Sequence, residues 1–303
     1  MSDVFGALAP IFLLILFGQL LRRRRMLPES FWPSADRLTY FLFFPCLIVD
    51  ELARADIGAE VAGMAAAMVT GVLASAALVL AARPLMRMDG PAFSSVFQGS
   101  VRPNTYVGLA ASKTLYGSAG LGLTAVGIAV VVPLVNVLCV VVMTRFGRDS
   151  RGTGVRAVLN GLVRNPIIVA VAIGALLNLT GIGRPPVLGS VVELLARAAL
   201  PVGLLSVGAG LDFGAARAAG AGVALAASAK LLLVPVATGL AGMALGIDAL
   251  MVTIAVLFNA LPCSASAYAL ARQMGGDTGL IAGIITVQTM LAALTLPLLL
   301  VLF

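Results

Sequence analysis

The chain has 303 residues, 60% of them hydrophobic and 11% charged, with a formal net charge of +7 and no histidine; its mean hydropathy is +1.08. A soluble domain carries about a quarter charged residues, so a soluble enzyme is excluded and a bilayer is the solvent that suits this composition. The absence of histidine removes HExxH metalloproteases, histidine-activated nucleophiles and the usual metal sites, while the dispersed positive charges, with no aromatic-studded basic module, point away from nucleic acid.

A helix needs about 20 apolar residues to cross about 30 Å of hydrocarbon, and the chain predicts ten such spans. The first, at roughly 4–21, is followed by Arg22, Arg23, Arg24 and Arg25; basic residues after the apolar run predict a retained helix and not a cleaved leader. The second, 37–53, ends in Asp50 and Glu51, read as solvated at an outer end. The third covers 61–82, the fourth, 93–112, is interrupted by Pro103, and the fifth covers 121–144. A polar connector at 146–156 separates 1–145 from 157–303. In the second half the spans fall at 157–178, 187–209, 221–244, 249–271 and 280–303. Glu193 and Arg197 in the seventh are four residues apart, the spacing of an intrahelical ion pair. Lys230 stands near the middle of the eighth with no acidic residue at helical spacing, and Pro262 interrupts the ninth. Cys46, Cys139 and Cys263 lie inside apolar runs without metal-ligand spacing and read as small core residues.

With the N-terminus outside, the inner loops hold thirteen cationic side chains and the outer loops three, Arg54, Lys113 and Arg184. This asymmetry is the one expected of cytoplasmic loops, and it predicts both termini outside the cytoplasm in a bacterial plasma (inner) membrane.

The two halves resemble each other. Pro10-Ile11, Gly18, Leu20 and Leu21 are repeated 156 residues later as Pro166-Ile167, Gly174, Leu176 and Leu177. Pro45 and Pro201 share that offset, as do Asp56 and Asp212, and Pro103 pairs with Pro262 at 159. Five spans per copy is an odd number, so the second copy enters the membrane inverted, the plan of secondary transporters whose sites lie where discontinuous helices meet.

A mid-helix proline removes a hydrogen bond at a cost of about 3 kcal/mol, and within lipid such a break persists only beside protein or water. Gln98, Ser100, Arg102, Asn104, Thr105 and Tyr106 surround Pro103; Asn259, Cys263, Ser264, Ser266 and Tyr268 surround Pro262. Asn104 and Ser264 stand at N-cap positions, and two converging helix N-termini favour an anion such as a carboxylate. Arg102 either binds that anion or neutralises the carbonyl end of the preceding half-helix. Tyr106 and Tyr268 either line the cavity or anchor packing. Lys230 offers charge compensation at the negative helix ends in place of a coupling cation.

The run Arg102-Pro103-Asn104-Thr105-Tyr106 with Gly108-Leu109, the run from Leu261-Pro262 to Tyr268, Leu270-Ala271-Arg272, Gly275-Gly276-Asp277 and Asn165-Pro166 resemble the auxin efflux carrier family across essentially the whole chain. That family holds plant auxin carriers and bacterial transporters of malate, malonate and other small organic acids. The resemblance implies a homodimeric scaffold of spans 1, 2, 6 and 7, an elevator-like transport unit of spans 3–5 and 8–10, and a carboxylate-binding role for Asn104. The plant carriers have a long central loop and an asparagine where Val101 or Arg102 stands here, which points away from auxin as the substrate.

The sequence therefore reads as an all-α polytopic carrier of a small organic mono- or dicarboxylate, without catalytic activity, cofactor, metal or nucleic-acid partner. The alternative is a sodium-coupled symporter of the bile-acid-transporter type. Proton coupling, sodium coupling and uniport stay open.

Overall fold

The computed structural model describes residues 2–54, 61–148, 165–184, 186–218 and 220–303, and these contain helices and connecting segments without a strand. Asp56, residues 149–156 of the connector and the start of the sixth predicted span (157–164) lie outside the described residues.

Helix α1 spans Ser2–Arg23. Helix α2 (Phe31–Leu38) runs through a wide π turn, Thr39–Phe43, into α3 (Phe44–Leu52). Next come α4 (Val61–Ala82), α5 (Gly90–Val101) and α6 (Thr105–Phe146). In the second half lie α7 (Pro166–Leu179), α8 (Pro186–Ala209) and the short α9 (Phe213–Arg217). Helix α10 (Ala221–Ser228) passes through a second π turn, Ala229–Leu233, into α11 (Val234–Ala244). Helices α12 (Ala249–Asn259), α13 (Ser266–Met274) and α14 (Thr278–Leu302) complete the described chain. Six of the described helical stretches are long and apolar enough to cross a membrane, so the protein is a multi-pass membrane protein; α7 and α12 are shorter apolar helices.

Proline chemistry explains the interruptions. Pro45 and Pro235 each stand two residues beyond a π turn. A proline donates no hydrogen bond and its ring crowds the carbonyl four residues back; these carbonyls belong to Phe41 and Leu231, and both helices widen there instead of breaking. Gly117, at φ 63 and ψ −147, bends α6 sharply, a conformation open to a residue without Cβ. Several of the few acids are spent on helix starts: Asp89, Asp212, Asp248 and Asp277 each accept a first-turn N–H, satisfying an orphan donor at the positive end of a helix dipole.

The helices sort into two packed groups. Helices α1, α3, α7 and α8 lie chiefly on one another, while α4, α5, α6 and α10–α14 form the second body. Glycines set the closest approaches within the first: a Cβ at Gly18 would stand 2.1 Å from the Leu205 carbonyl oxygen, and one at Gly208 1.7 Å from that of Ile15. Gly174, which the sequence pairs with Gly18, packs α7 against Ile48, Val49 and Leu52 of α3. Between the groups, Phe44 of α3 stacks on Tyr106 of α6 with ring centroids 4.1 Å apart, and Gly203 of α8 leaves room for both rings.

One sequence expectation fails here. Asp50 and Glu51 are 4% exposed, not solvated. Cations hold them: Arg54, one helical turn on, and Arg184, distant in sequence, flank Asp50, and Lys113 of α6 donates to Glu51 at 2.6 Å. Arg184 also joins Glu193, which forms the predicted pair with Arg197 at 2.8 Å. The Glu51–Lys113 pair is lopsided, because the Lys113 side chain is 42% exposed. Lys113→Met leaves a buried carboxylate without its donor and should cost about 2 kcal/mol; Glu51→Gln leaves an ammonium that reaches water and should cost about 1 kcal/mol or less. Thermal melting of the two purified variants in detergent checks this order, and the reverse order would contradict the burial argument.

Candidate functional site

The breaks at Pro103 and Pro262 meet. Between α5 and α6, Asn104 donates its backbone N–H to the Pro262 carbonyl at 2.8 Å, so the non-helical segment 102–104 lies directly against the segment joining α12 to α13. Each break frees backbone groups, and four of them find side-chain partners. Pro103 has no N–H for the Gly99 carbonyl, and Gln288 of α14 supplies one from Nε2 at 2.9 Å. The Ser100 carbonyl loses Asn104 to Pro262, and the Ser75 hydroxyl of α4 takes its place at 3.1 Å. On the second side the Cys263 N–H turns to Gln288 Oε1 at 2.8 Å, and Lys230 Nζ reaches the freed Asn259 carbonyl at 2.6 Å. Lys230 is fully buried in its π turn. Gln288 therefore ties the two breaks together with one amide.

A cavity of about 400 Å³ opens beside the crossing. From the first break it is lined by Arg102, Pro103, Asn104, Thr105 and Tyr106, and from the second by Ser264 and Ser266. The opposite wall comes from the first helix group, with Asp36, Arg37 and Tyr40 of the α2 segment and Asn165 before α7. Three helix N-termini end at this cavity, those of α6, α7 and α13. The Asn104 side-chain oxygen accepts from the Tyr106 and Val107 N–H groups, and Asn165 does the same for Ile167. Asn104 Nδ2 is buried and has no hydrogen-bond partner among the described residues. Arg102 donates to the side-chain oxygens of Gln98 and Asn136.

Several expected lining residues lie elsewhere. Gln98 and Asn259 are fully buried and do not line the cavity. Gln98 holds Arg102 from behind, and Asn259 faces α4 and α11, donating to the Met68 carbonyl at 3.0 Å and to Thr238 at 2.6 Å. Tyr268 is 42% exposed and outside the cavity, because two residues along a helix turn a side chain about 200° from Ser266. Ser264 is not the N-cap of α13; that position belongs to Ala265, and the Ser264 hydroxyl accepts from the Ser266 N–H at 3.3 Å. Pro262 and Lys230 act through the backbone at the crossing and do not reach the cavity wall.

The residues the sequence reading passed over are Asp36, Arg37, Tyr40, Asn136, Asn165 as a wall residue, Ser75 and Gln288. Asn136 and Gln288 carried a usable signal, since each is an amide inside an otherwise apolar predicted span. Asp36, Arg37 and Tyr40 carried none, because only the packing of the two helix groups brings them to the crossing.

Two proline-broken helices crossing beside a polar cavity, inside an apolar bundle, define a membrane transport protein. The family model described as "Membrane transport protein" matches residues 3–155 and 154–300. An uncharacterized transporter of Methanothermobacter thermautotrophicus (strain ATCC 29096 / DSM 1053 / JCM 10044 / NBRC 100330 / Delta H) is 25% identical over 295 residues, covering 95% of this chain and 94% of the relative. The chain belongs to the membrane transport protein family, the auxin efflux carrier-type group that the motifs around Pro103 and Pro262 resemble.

Proposed function

We propose that this protein is a secondary carrier of a small organic anion, a mono- or dicarboxylate, held at the crossing of the two broken helices. The observation that carries this reading is the convergence of three helix N-termini, Arg102 and the unpartnered Asn104 Nδ2 on one cavity. Helix N-termini present N–H groups and the positive ends of their dipoles. Asn104, Thr105, Ser264 and Ser266 supply short polar contacts, and Arg102 supplies charge. Lys230 supplies a donor and a compensating charge at the carbonyl end of α12 in place of a bound cation.

In this reading the chain crosses a bacterial plasma membrane ten times as two inverted five-helix repeats, 1–145 and 157–303, with both termini outside. The second repeat's Lys230 and Asn259 then answer to the first repeat's Ser75 and Ser100. These pairs are separated by 155 and 159 residues, close to the offsets of the proline pairs, and each side-chain donor serves the carbonyl at its own break. The packing division supports the moving parts: spans 1, 2, 6 and 7 form a dimerising scaffold, and spans 3–5 and 8–10 slide past it like an elevator along the Phe44–Tyr106 seam.

Purified protein melted in the presence of a panel of mono- and dicarboxylates, with and without sodium at two pH values, tests the substrate class. A ligand at a hundred times its Kd adds about 2.7 kcal/mol. We expect at least one carboxylate to stabilise the wild type and to lose that effect in Arg102→Gln. Stabilisation only by amines or neutral sugars would overturn the anion reading, and stabilisation that requires sodium would favour a bile-acid-type symporter.

A further inference from the structure

We propose that Asn136 and Gln98 are positioning residues that hold Arg102 with neutral amide oxygens so that its whole positive charge stays available to an anion in the cavity. This rests on the anion-carrier reading above.

The grip on Arg102 is specific and two-sided. One terminal nitrogen donates to Gln98 Oε1 at 3.2 Å, one helical turn back, and the other donates to Asn136 Oδ1 on the far half of α6. Neither partner is charged. Among the described residues Arg102 has no ion-pair partner, whereas Arg54, Lys113, Arg184 and Arg197 near the far end of α3 are each paired with a carboxylate. Asp36 lines the same cavity without forming an ion pair with Arg102. Carboxylates are the stronger partners for a guanidinium, so two amides at this place sacrifice hydrogen-bond strength and keep charge. Gln98 bears that cost: among the described residues its buried Nε2 has no partner, and its oxygen alone is in use. The amides fix where the guanidinium stands while leaving the local field positive, which a carboxylate in either place would cancel.

The local field can be read without knowing the substrate. A cysteine introduced at Ser266, which lines the cavity, is labelled with an anionic and a cationic methanethiosulfonate reagent of similar size, in a background with Cys46 replaced by alanine; Cys139 and Cys263 are fully buried. With Arg102 uncompensated the anionic reagent reacts faster than the cationic one relative to free thiol. Asn136→Asp should lower that rate ratio by about tenfold or more, since a unit charge is cancelled at close range, and should bring it to the value of Arg102→Gln. Gln98→Glu makes the same exchange at the other oxygen and serves where Asn136→Asp does not fold. An unchanged ratio in a folded variant of either kind, or a wild-type ratio that Arg102→Gln does not move, would overturn the proposal. Titration of potassium malonate and potassium benzoate into the same proteins separates the two readings. A lowered labelling ratio with no carboxylate response in the wild type would keep the neutral cradle and remove the anion substrate; a carboxylate response that Asn136→Asp leaves intact would remove the cradle and keep the substrate.

Discussion

Gln288→Leu should lower stability by about 2–6 kcal/mol, because two backbone groups with no alternative partner among the described residues are orphaned at about 1–3 kcal/mol each. The size is similar in shape, so little of the loss comes from packing. The Gly99 carbonyl has no donor of its own because Pro103 lacks an N–H, and the Cys263 N–H has turned away from the Asn259 carbonyl. Gln288→Glu is the informative companion. At this fully buried position the introduced carboxyl is held neutral; its carbonyl oxygen accepts from the Cys263 N–H and its O–H donates to the Gly99 carbonyl with altered geometry, so its loss should fall between wild type and leucine. Melting temperatures of the three proteins in one detergent measure the order. A leucine variant as stable as wild type would mean that water or a shifted backbone satisfies both breaks, and Gln288 would lose its bridging role.

The second large effect is on transport. Lys230→Met should reduce uptake by reconstituted protein about 100-fold, using any carboxylate that stabilises the wild type. A charged hydrogen bond is worth about 1.5–3 kcal/mol, and the upper end corresponds to that factor in rate. The methionine fills the same channel through the core, so folding survives with a moderate fall in melting temperature. The charge is what goes: the carbonyl end of α12 loses its only side-chain donor among the described residues. Unaltered uptake would show that Lys230 is a packing residue with a polar end, and would leave charge compensation to an external cation.

The contrast between these two residues shows what a linear reading can see. Lys230 stood out because an ammonium in mid-span is costly wherever it points, and the structure gives it a backbone carbonyl. Gln288 gives a fainter signal, since an amide in an apolar run is cheaper and its partners are at positions 99 and 263. Pro103 and Pro262 were legible for the same reason as Lys230: a proline announces its missing N–H locally. The groups that repair the loss, Ser75 and Gln288, sit on other helices, and nothing local says which break each one serves. Tyr268 illustrates the opposite error. It is close to the break in sequence, yet helical rotation carries it to the outer face, while Tyr40, more than sixty residues before Pro103, forms part of the cavity wall.

By itself the sequence determined the solvent, the helical class, the places where two helices must break and the short polar residues around those breaks. Each of these follows from local costs, hydration of apolar side chains and the hydrogen bond that proline cannot make. Tertiary structure alone decided which carbonyl each buried donor serves, that Asp50 and Glu51 are buried against Arg184 and Lys113 of other segments, and that Arg102 rests on amides instead of acids. Those outcomes depend on separations of a few ångströms between helices distant in the chain, and hydrogen-bond and charge energies change over that distance far more steeply than any sequence pattern records.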